Sequence, residues 1–259
     1  MKTASDPAGA PPLIEVRDLT LAYGDEVVLR DVTFDVQRGQ VFIIMGASGC
    51  GKSTLLKHMI GLLEPFEGDV LYEGASFTRA APEERTALLR RFGVLYQRGA
   101  LWSSMTLAEN VALALEEFTD LPDDQVQELA RLKLALVGLR GFEDHYPSEI
   151  SGGMQKRAAL ARALALDPEI LFFDEPSAGL DPENSRRLDE LILELRANLG
   201  ATFVVVTHEL ASLLAIGDDS VFLDAATRTV LARGKPRDLL ASSSEPKVQR
   251  FLSRGGTPP

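Results

Sequence analysis

Val41-Phe42-Ile43-Ile44-Met45 runs directly into Gly46-Ala47-Ser48-Gly49-Cys50-Gly51-Lys52-Ser53-Thr54. Five apolar residues in succession read as a strand buried on both faces, because a half-exposed strand would alternate. The glycines end that strand in a curled turn, and a helix is expected over residues 53–63. Strand, turn and helix in this order form a P-loop: a glycine, four residues, then Gly-Lys-Ser. The pattern has a chemical reason. Backbone N–H groups of the curled loop point at phosphate oxygens, and the helix start adds its positive end. Lys52 reaches toward β- and γ-phosphates, the Ser53 hydroxyl toward Mg²⁺, and Thr54 toward another phosphate oxygen. Gly46, Ala47, Ser48, Gly49, Cys50 and Gly51 are candidate phosphate-binding residues through their backbone. Cys50 is assigned no redox role.

A second apolar strand, residues 170–173, stops at Asp174-Glu175. In α/β folds the ligand lies beyond the carboxyl ends of the strands. Asp174 is the candidate to hold Mg²⁺ through water, and Glu175 to orient or deprotonate the attacking water. An acidic turn after a strand is common, and it is the P-loop that gives this pair its meaning. His208 follows a third apolar strand, residues 203–206, where its ring N–H can sense a γ-phosphate. His58 and His145 have no such setting and read as structural. Ser151-Gly152-Gly153-Met154-Gln155 opens a helical run over residues 156–166. A serine cap and two glycines make a second anion-binding helix start. Two such ends in one chain suggest a shared site, with ATP gripped by the first end of one copy and the second end of another.

The rest of the chain reads around these motifs. Val32-Thr33-Phe34-Asp35-Val36 alternates as a half-buried antiparallel strand does, with companions at 13–16 and 19–23. The middle is helical, with helices expected at 110–118 and 123–137. A helix at 183–198 between two core strands implies a parallel sheet. A hairpin is expected over 220–232 and a last helix over 246–253. The expected fold class is α/β: a P-loop parallel-sheet core with an N-terminal antiparallel β subdomain and a helical insert. Residues 1–12 read as a disordered leader and 13–242 as the catalytic domain, with a helical subdomain at about 98–166. Residues 243–259 read as a C-terminal helix and tail. A chain of 259 residues that is 45% hydrophobic suits one large domain. The net charge of −11 argues against nucleic acid as the main partner. A single cysteine forms no internal disulfide and fits a reducing compartment. No apolar run is long enough to span a bilayer, so a membrane role must come through a partner.

Taken together, these residues resemble the ATP-binding cassette family from Leu13 to about Leu240. Walker A is Gly46–Ser53, and the Q-loop glutamine is Gln97 in Val94-Leu95-Tyr96-Gln97. The signature is Ile150-Ser151-Gly152-Gly153-Met154-Gln155, and Walker B ends at Asp174 with Glu175 next. The D-loop is Ser177-Ala178-Gly179-Leu180-Asp181, and the switch histidine is His208. Tyr23 resembles the aromatic that stacks on adenine. The resemblance implies ATP and Mg²⁺ as ligands, with Gln97 serving both catalysis and the metal and Asp181 serving the nucleotide. It also implies a homodimer. The signature departs from the usual Leu-Ser-Gly-Gly-Gln at Ile150 and Met154, while Ser151 and Gly153 are kept. Gln97-Arg98-Gly99-Ala100-Leu101-Trp102, Met105-Thr106-Leu107-Ala108-Glu109-Asn110-Val111 and Val248-Gln249-Arg250-Phe251-Leu252 further resemble the Mla and Mce-associated lipid-transport ATPases. Such ATPases imply an integral membrane permease, an MCE lipid-binding protein, and a peripheral place on the cytoplasmic face of the inner membrane. A cytosolic cassette without a transport role, of the iron–sulfur assembly type, shares every motif and stays open here, as does a transporter of another substrate.

Overall fold

The computed structural model describes residues 11–24, 26–97 and 99–253. The expected leader falls almost wholly on residues 1–10, outside the described ones, and so do Arg98 and the last six residues. Two sheets form the frame. One is antiparallel, of four strands in the order β2-β1-β4-β5: β1 (Ile14–Tyr23), β2 (Glu26–Val36), β4 (Glu67–Tyr72) and β5 (Ala75–Ser76). The other has six strands in the order β10-β9-β3-β8-β7-β6: β3 (Val41–Gly46), β6 (Phe92–Leu95), β7 (Ile170–Asp174), β8 (Thr202–Val206), β9 (Asp219–Asp224) and β10 (Thr229–Arg233). Its ladders are parallel except for the β9–β10 hairpin at one edge. The expected parallel core, antiparallel subdomain and helical insert are all present.

The unbroken apolar run of β3 is explained by its neighbours. Val41, Ile43 and Met45 face one core cluster, shared with the helices. Phe42 and Ile44 face the other, shared with β1 and β2. Each fully buried side chain of this kind contributes about 1.5–3 kcal/mol. The helical insert supplies α3 (Leu107–Phe118), α4 (Asp123–Leu136) and α5 (Gly152–Ala163). The other helices are α1 (Lys52–Met59), α2 (Pro82–Leu89), α6 (Pro182–Leu199), α7 (Leu210–Ile216), α8 (Pro236–Ser242) and α9 (Pro246–Leu252). Val248 and Leu252 of α9 are buried in the helix-side cluster.

Four expected boundaries are corrected, one of them that of α5, which runs from Gly152 to Ala163 rather than over 156–166 because Ser151 caps it. Residues 13–16 and 19–23 form one strand, not two. Asp18 sits at φ 46° in a register shift, stitched by its N–H and carboxylate to the Thr33 hydroxyl. Helix α1 ends at Met59 rather than near 63, because Gly61 turns the chain at φ 73°. Helix α3 starts at Leu107 rather than 110. Thr106 and Glu109 form a capping box there, with the Glu109 N–H 3.2 Å from the Thr106 hydroxyl and the Thr106 N–H 2.7 Å from the Glu109 carboxylate.

Candidate active site

The carboxyl ends of β3, β7 and β8 open on one cleft of about 990 Å³. The P-loop forms its floor. Gly46 stands at φ 149°, where a Cβ would collide with the Leu223 carbonyl oxygen and lie 2.7 Å from Cys50 Sγ. No other residue fits there. Gly51, at φ 97°, is the turn into α1. Lys52 is 7% exposed, and its ammonium donates 3.0 Å bonds back to the carbonyls of Gly46 and Ala47. Gly49, Ser48, Ser53 and Thr54 also line the cleft. Cys50 does not: its thiol is buried, and burial pushes its pKa up, which leaves it unreactive.

Two short contacts join separate elements. The Ser53 hydroxyl donates to Asp174 Oδ1 at 2.8 Å, linking α1 to the end of β7. Glu175 Oε1 lies 2.7 Å from His208 Nδ1, linking the ends of β7 and β8. Glu175 has a left-handed backbone, φ 49°, held by its N–H bond to the Val206 carbonyl at 2.8 Å. Its second oxygen, Oε2, is buried and has no hydrogen-bond partner. An acceptor left free beside a glycine cradle is where a water or hydroxyl donor fits. Gln97 lines the same cleft.

The sequence-expected residues thus divide. Gly46, Ala47, Ser48, Gly49, Gly51, Lys52, Ser53, Thr54, Gln97, Glu175 and His208 line one cleft, with Asp174 bonded to Ser53. Tyr23 is 52% exposed at the end of β1 and is not part of that lining, where Val28 stands instead. Ser151, Gly152, Gly153 and Asp181 lie apart. Ser151 caps α5, its hydroxyl accepting from the Met154 N–H at 3.3 Å. Asp181 caps α6 by accepting from the N–H groups of Glu183 and Asn184. A Cβ on Gly153 would meet Asn184 at 3.2 Å, so the signature turn packs on the first turn of α6. Sequence reading missed Glu209, Leu210, Ala211, Leu214 and Phe251, which line the far side of the cleft. It also missed Lys156, which sits beside Arg157 on α5 and carries no sequence signal of its own. His58 is structural, its Nδ1 2.7 Å from the Thr54 carbonyl oxygen.

A P-loop, a carboxylate pair and a histidine on the carboxyl edge of one parallel sheet, with a glycine-rich helix cap on an inserted helical layer, define a nucleotide-hydrolysing cassette. The ABC transporter family profile matches residues 29–178, and the chain belongs to that family. Its activity is accordingly that of an ATP-hydrolysing transporter subunit. It is 40% identical to the intermembrane phospholipid transport system ATP-binding protein MlaF of Haemophilus influenzae, over 93% of this chain and 90% of that protein. It is 42% identical to a probable ribonucleotide transport ATP-binding protein of Mycobacterium leprae, over 93% of this chain but 68% of that one. Among solved structures it is similar to a dimeric ATP-binding cassette in a post-hydrolysis state bound to ADP and phosphate. The TM-score is 0.76 at 30% identity, covering 86% of this chain and 98% of that one.

Proposed function

We propose that this chain powers phospholipid transport through a membrane permease. The observation that carries the reading is the end-to-end match with the phospholipid-transport ATP-binding protein, which covers nine-tenths of both chains. The ribonucleotide-transport relative extends well beyond the matched region. The working unit is a homodimer, head to tail, at the cytoplasmic face of the inner membrane. An MCE lipid-binding protein is a further partner. Among the described residues no helix is long and apolar enough to cross a membrane, so attachment is through the permease. The helical insert, about 98–166, carries the motion to it; Trp102, 58% exposed on that insert, suits a docking groove.

The split site supports the dimer. One chain lines the cleft with its P-loop, while its Ser151, Gly152 and Gly153 stand elsewhere and are free to meet a second copy's nucleotide. Tyr23, exposed at the end of β1, would stack on the adenine. The residues also fit Mg²⁺. The Ser53 hydroxyl and Asp174 carboxylate already converge, and Gln97 shares the cleft. These three would hold the ion, which neutralises phosphate charge when bound. Glu175 Oε2 accepts the proton or hydrogen bond of the attacking water. His208 fixes Glu175 through Oε1 and faces the γ-phosphate with its other ring nitrogen. Lys52 exchanges its two loop carbonyls for phosphate oxygens. Asp181 holds the start of α6 where the partner's nucleotide approaches.

The test is a gentle-detergent pull-down of the tagged chain from native membranes, with partners identified by mass spectrometry. A permease together with an MCE protein is expected. A permease of another kind replaces the cargo, and soluble partners alone overturn the transport role.

A further inference from the structure

Among the described residues two buried lysines lie outside the six family motifs: Lys133, which pairs with Asp167, and Lys156, which pairs with no carboxylate. Lys156 lies on the second turn of α5, five residues after Ser151, and is 7% exposed. Its ammonium donates to the main-chain carbonyl oxygen of Gln97. Burial pushes its pKa down, while the negative charges of Asp174 and Glu175, within electrostatic reach but not paired with it, pull it up. The surrounding bend is held in the same manner. Arg162, on the same helix, donates to the carbonyls of Gly99 at 2.9 Å and Ala100 at 2.6 Å. The Gly99 N–H closes a turn onto the Tyr96 carbonyl at 2.8 Å, and Gly99 and Ala100 both take positive φ.

A buried ammonium is costly, and an apolar residue would fill this face of α5 with less penalty. The charge is therefore where two things must be held at once: a strained bend of main chain and a pair of carboxylates. Arg162 serves the bend alone. We propose that Lys156 is a positioning residue for hydrolysis, holding Gln97 to the signature helix while presenting a positive charge to Asp174 and Glu175. The helix that carries Ser151–Gly153 toward a second copy is by this contact the helix that sets Gln97 against the carboxylate pair. Engagement at the start of α5 is then felt one turn along, at Gln97, through one side chain. The inference rests on the site assignment above for Gln97, Asp174 and Glu175.

The test uses the full chain in four forms: wild type, Lys156→Met, Lys156→Gln and Lys156→Arg. The first readout is hydrogen exchange of the 95–103 segment without nucleotide. Lys156→Met is expected to speed exchange there about tenfold, and Lys156→Arg to restore it within about twofold. Lys156→Gln still donates to the carbonyl but carries no charge, and is expected to keep the segment protected. The second readout is steady-state ATP hydrolysis. Both neutral variants are expected to lose about tenfold in kcat with the KM for ATP within about twofold, and Lys156→Arg to recover most of the rate. Neutral variants with wild-type kcat overturn the inference. So does a lost rate that Arg fails to rescue, or a Lys156→Met segment as protected as wild type. Glu175→Gln, run alongside, separates the two failures. Its loss of turnover beside normal Lys156 variants removes Lys156 alone, whereas near-normal turnover removes the site assignment on which the inference stands.

Discussion

The two ends of this chain that suit a phosphate differ in how complete they are. The P-loop end is closed on itself. Lys52 bonds to its own loop, Ser53 to Asp174, and Glu175 to His208, across three strands and a helix. The signature end is open. Ser151 and Gly152 are exposed, and a Cβ on Gly152 would meet nothing within 4 Å. The first end is built from strand termini in a buried parallel sheet, so its geometry is set by the core. The second is a helix cap on an inserted layer, with the N–H groups that any helix start leaves without an internal partner. The side chains proposed for catalysis sit at the closed end. On the proposed reading one end does the chemistry and the other completes the site of a second copy.

The sharpest break of that comparison is Glu175→Gln. Among the described residues it removes the only carboxylate with a buried, unpartnered oxygen in the cleft. Turnover is expected to fall about 100- to 1,000-fold while ATP still binds, as loss of a general base allows. Near-normal steady-state hydrolysis would mean that the closed end does not hold the base.

Ser151→Arg strikes the open end instead. Hydrolysis is expected to fall about 100-fold, the scale of losing a charge-stabilising donor, while a fluorescent ATP analogue binds the dilute chain almost as before. Equal losses of binding and turnover would place Ser151 in its own chain's cleft and erase the difference between the ends.

Most of the closed end was legible in the sequence because it is local. Val41–Gly46 and Lys52–Met59 are contiguous, and Asp174 and His208 each follow an unmistakable apolar strand. What escaped was set by distant neighbours. The four residues of β6 count as a strand only through their ladder with β7. Asp18 breaks the alternation of β1, and only its bond to Thr33 shows why the strand continues. Asn110 was assigned to a helix start. It is fully buried, its carboxamide bonded to Trp102, Met105 and Thr106, so it ties the loop before α3 rather than opening the helix. The open end was legible only by family resemblance, since a serine and two glycines at a helix start are otherwise ordinary.

Asp189 tests the seam between the D-loop helix and the helix that follows His208. It is 8% exposed on α6, against Ser212 of α7, and burial pushes its pKa up to about 6. A carboxylate whose pKa rises on folding is disfavoured once ionised, so it costs stability as pH climbs from about 4 through about 6. Asp189→Asn is expected to stabilise the chain at pH 7.5 by about 1 kcal/mol after allowance for solvent screening, a gain of about 2–4 °C in Tm. The gain should vanish below about pH 4, where the native side chain is protonated in both states. A gain that persists at low pH would show that packing, not charge, is at issue there.

The smallest effect is expected at the opposite edge of the strands, remote from both ends. Arg38 and Arg91 alternate with Glu73 and Glu169 in a closed ring that seats the antiparallel sheet on the parallel one. Its members are mostly half-exposed, so water screens each pair and side-chain ordering offsets much of the attraction. Glu73→Gln is expected to cost under about 1 kcal/mol at low ionic strength, and almost nothing at 1 M salt, where the Debye length shrinks to about 3 Å. Turnover should be unchanged. If Glu73→Gln slows hydrolysis without lowering Tm, the seating of one sheet on the other reaches the cleft, and the closed end is less self-contained than its short contacts indicate.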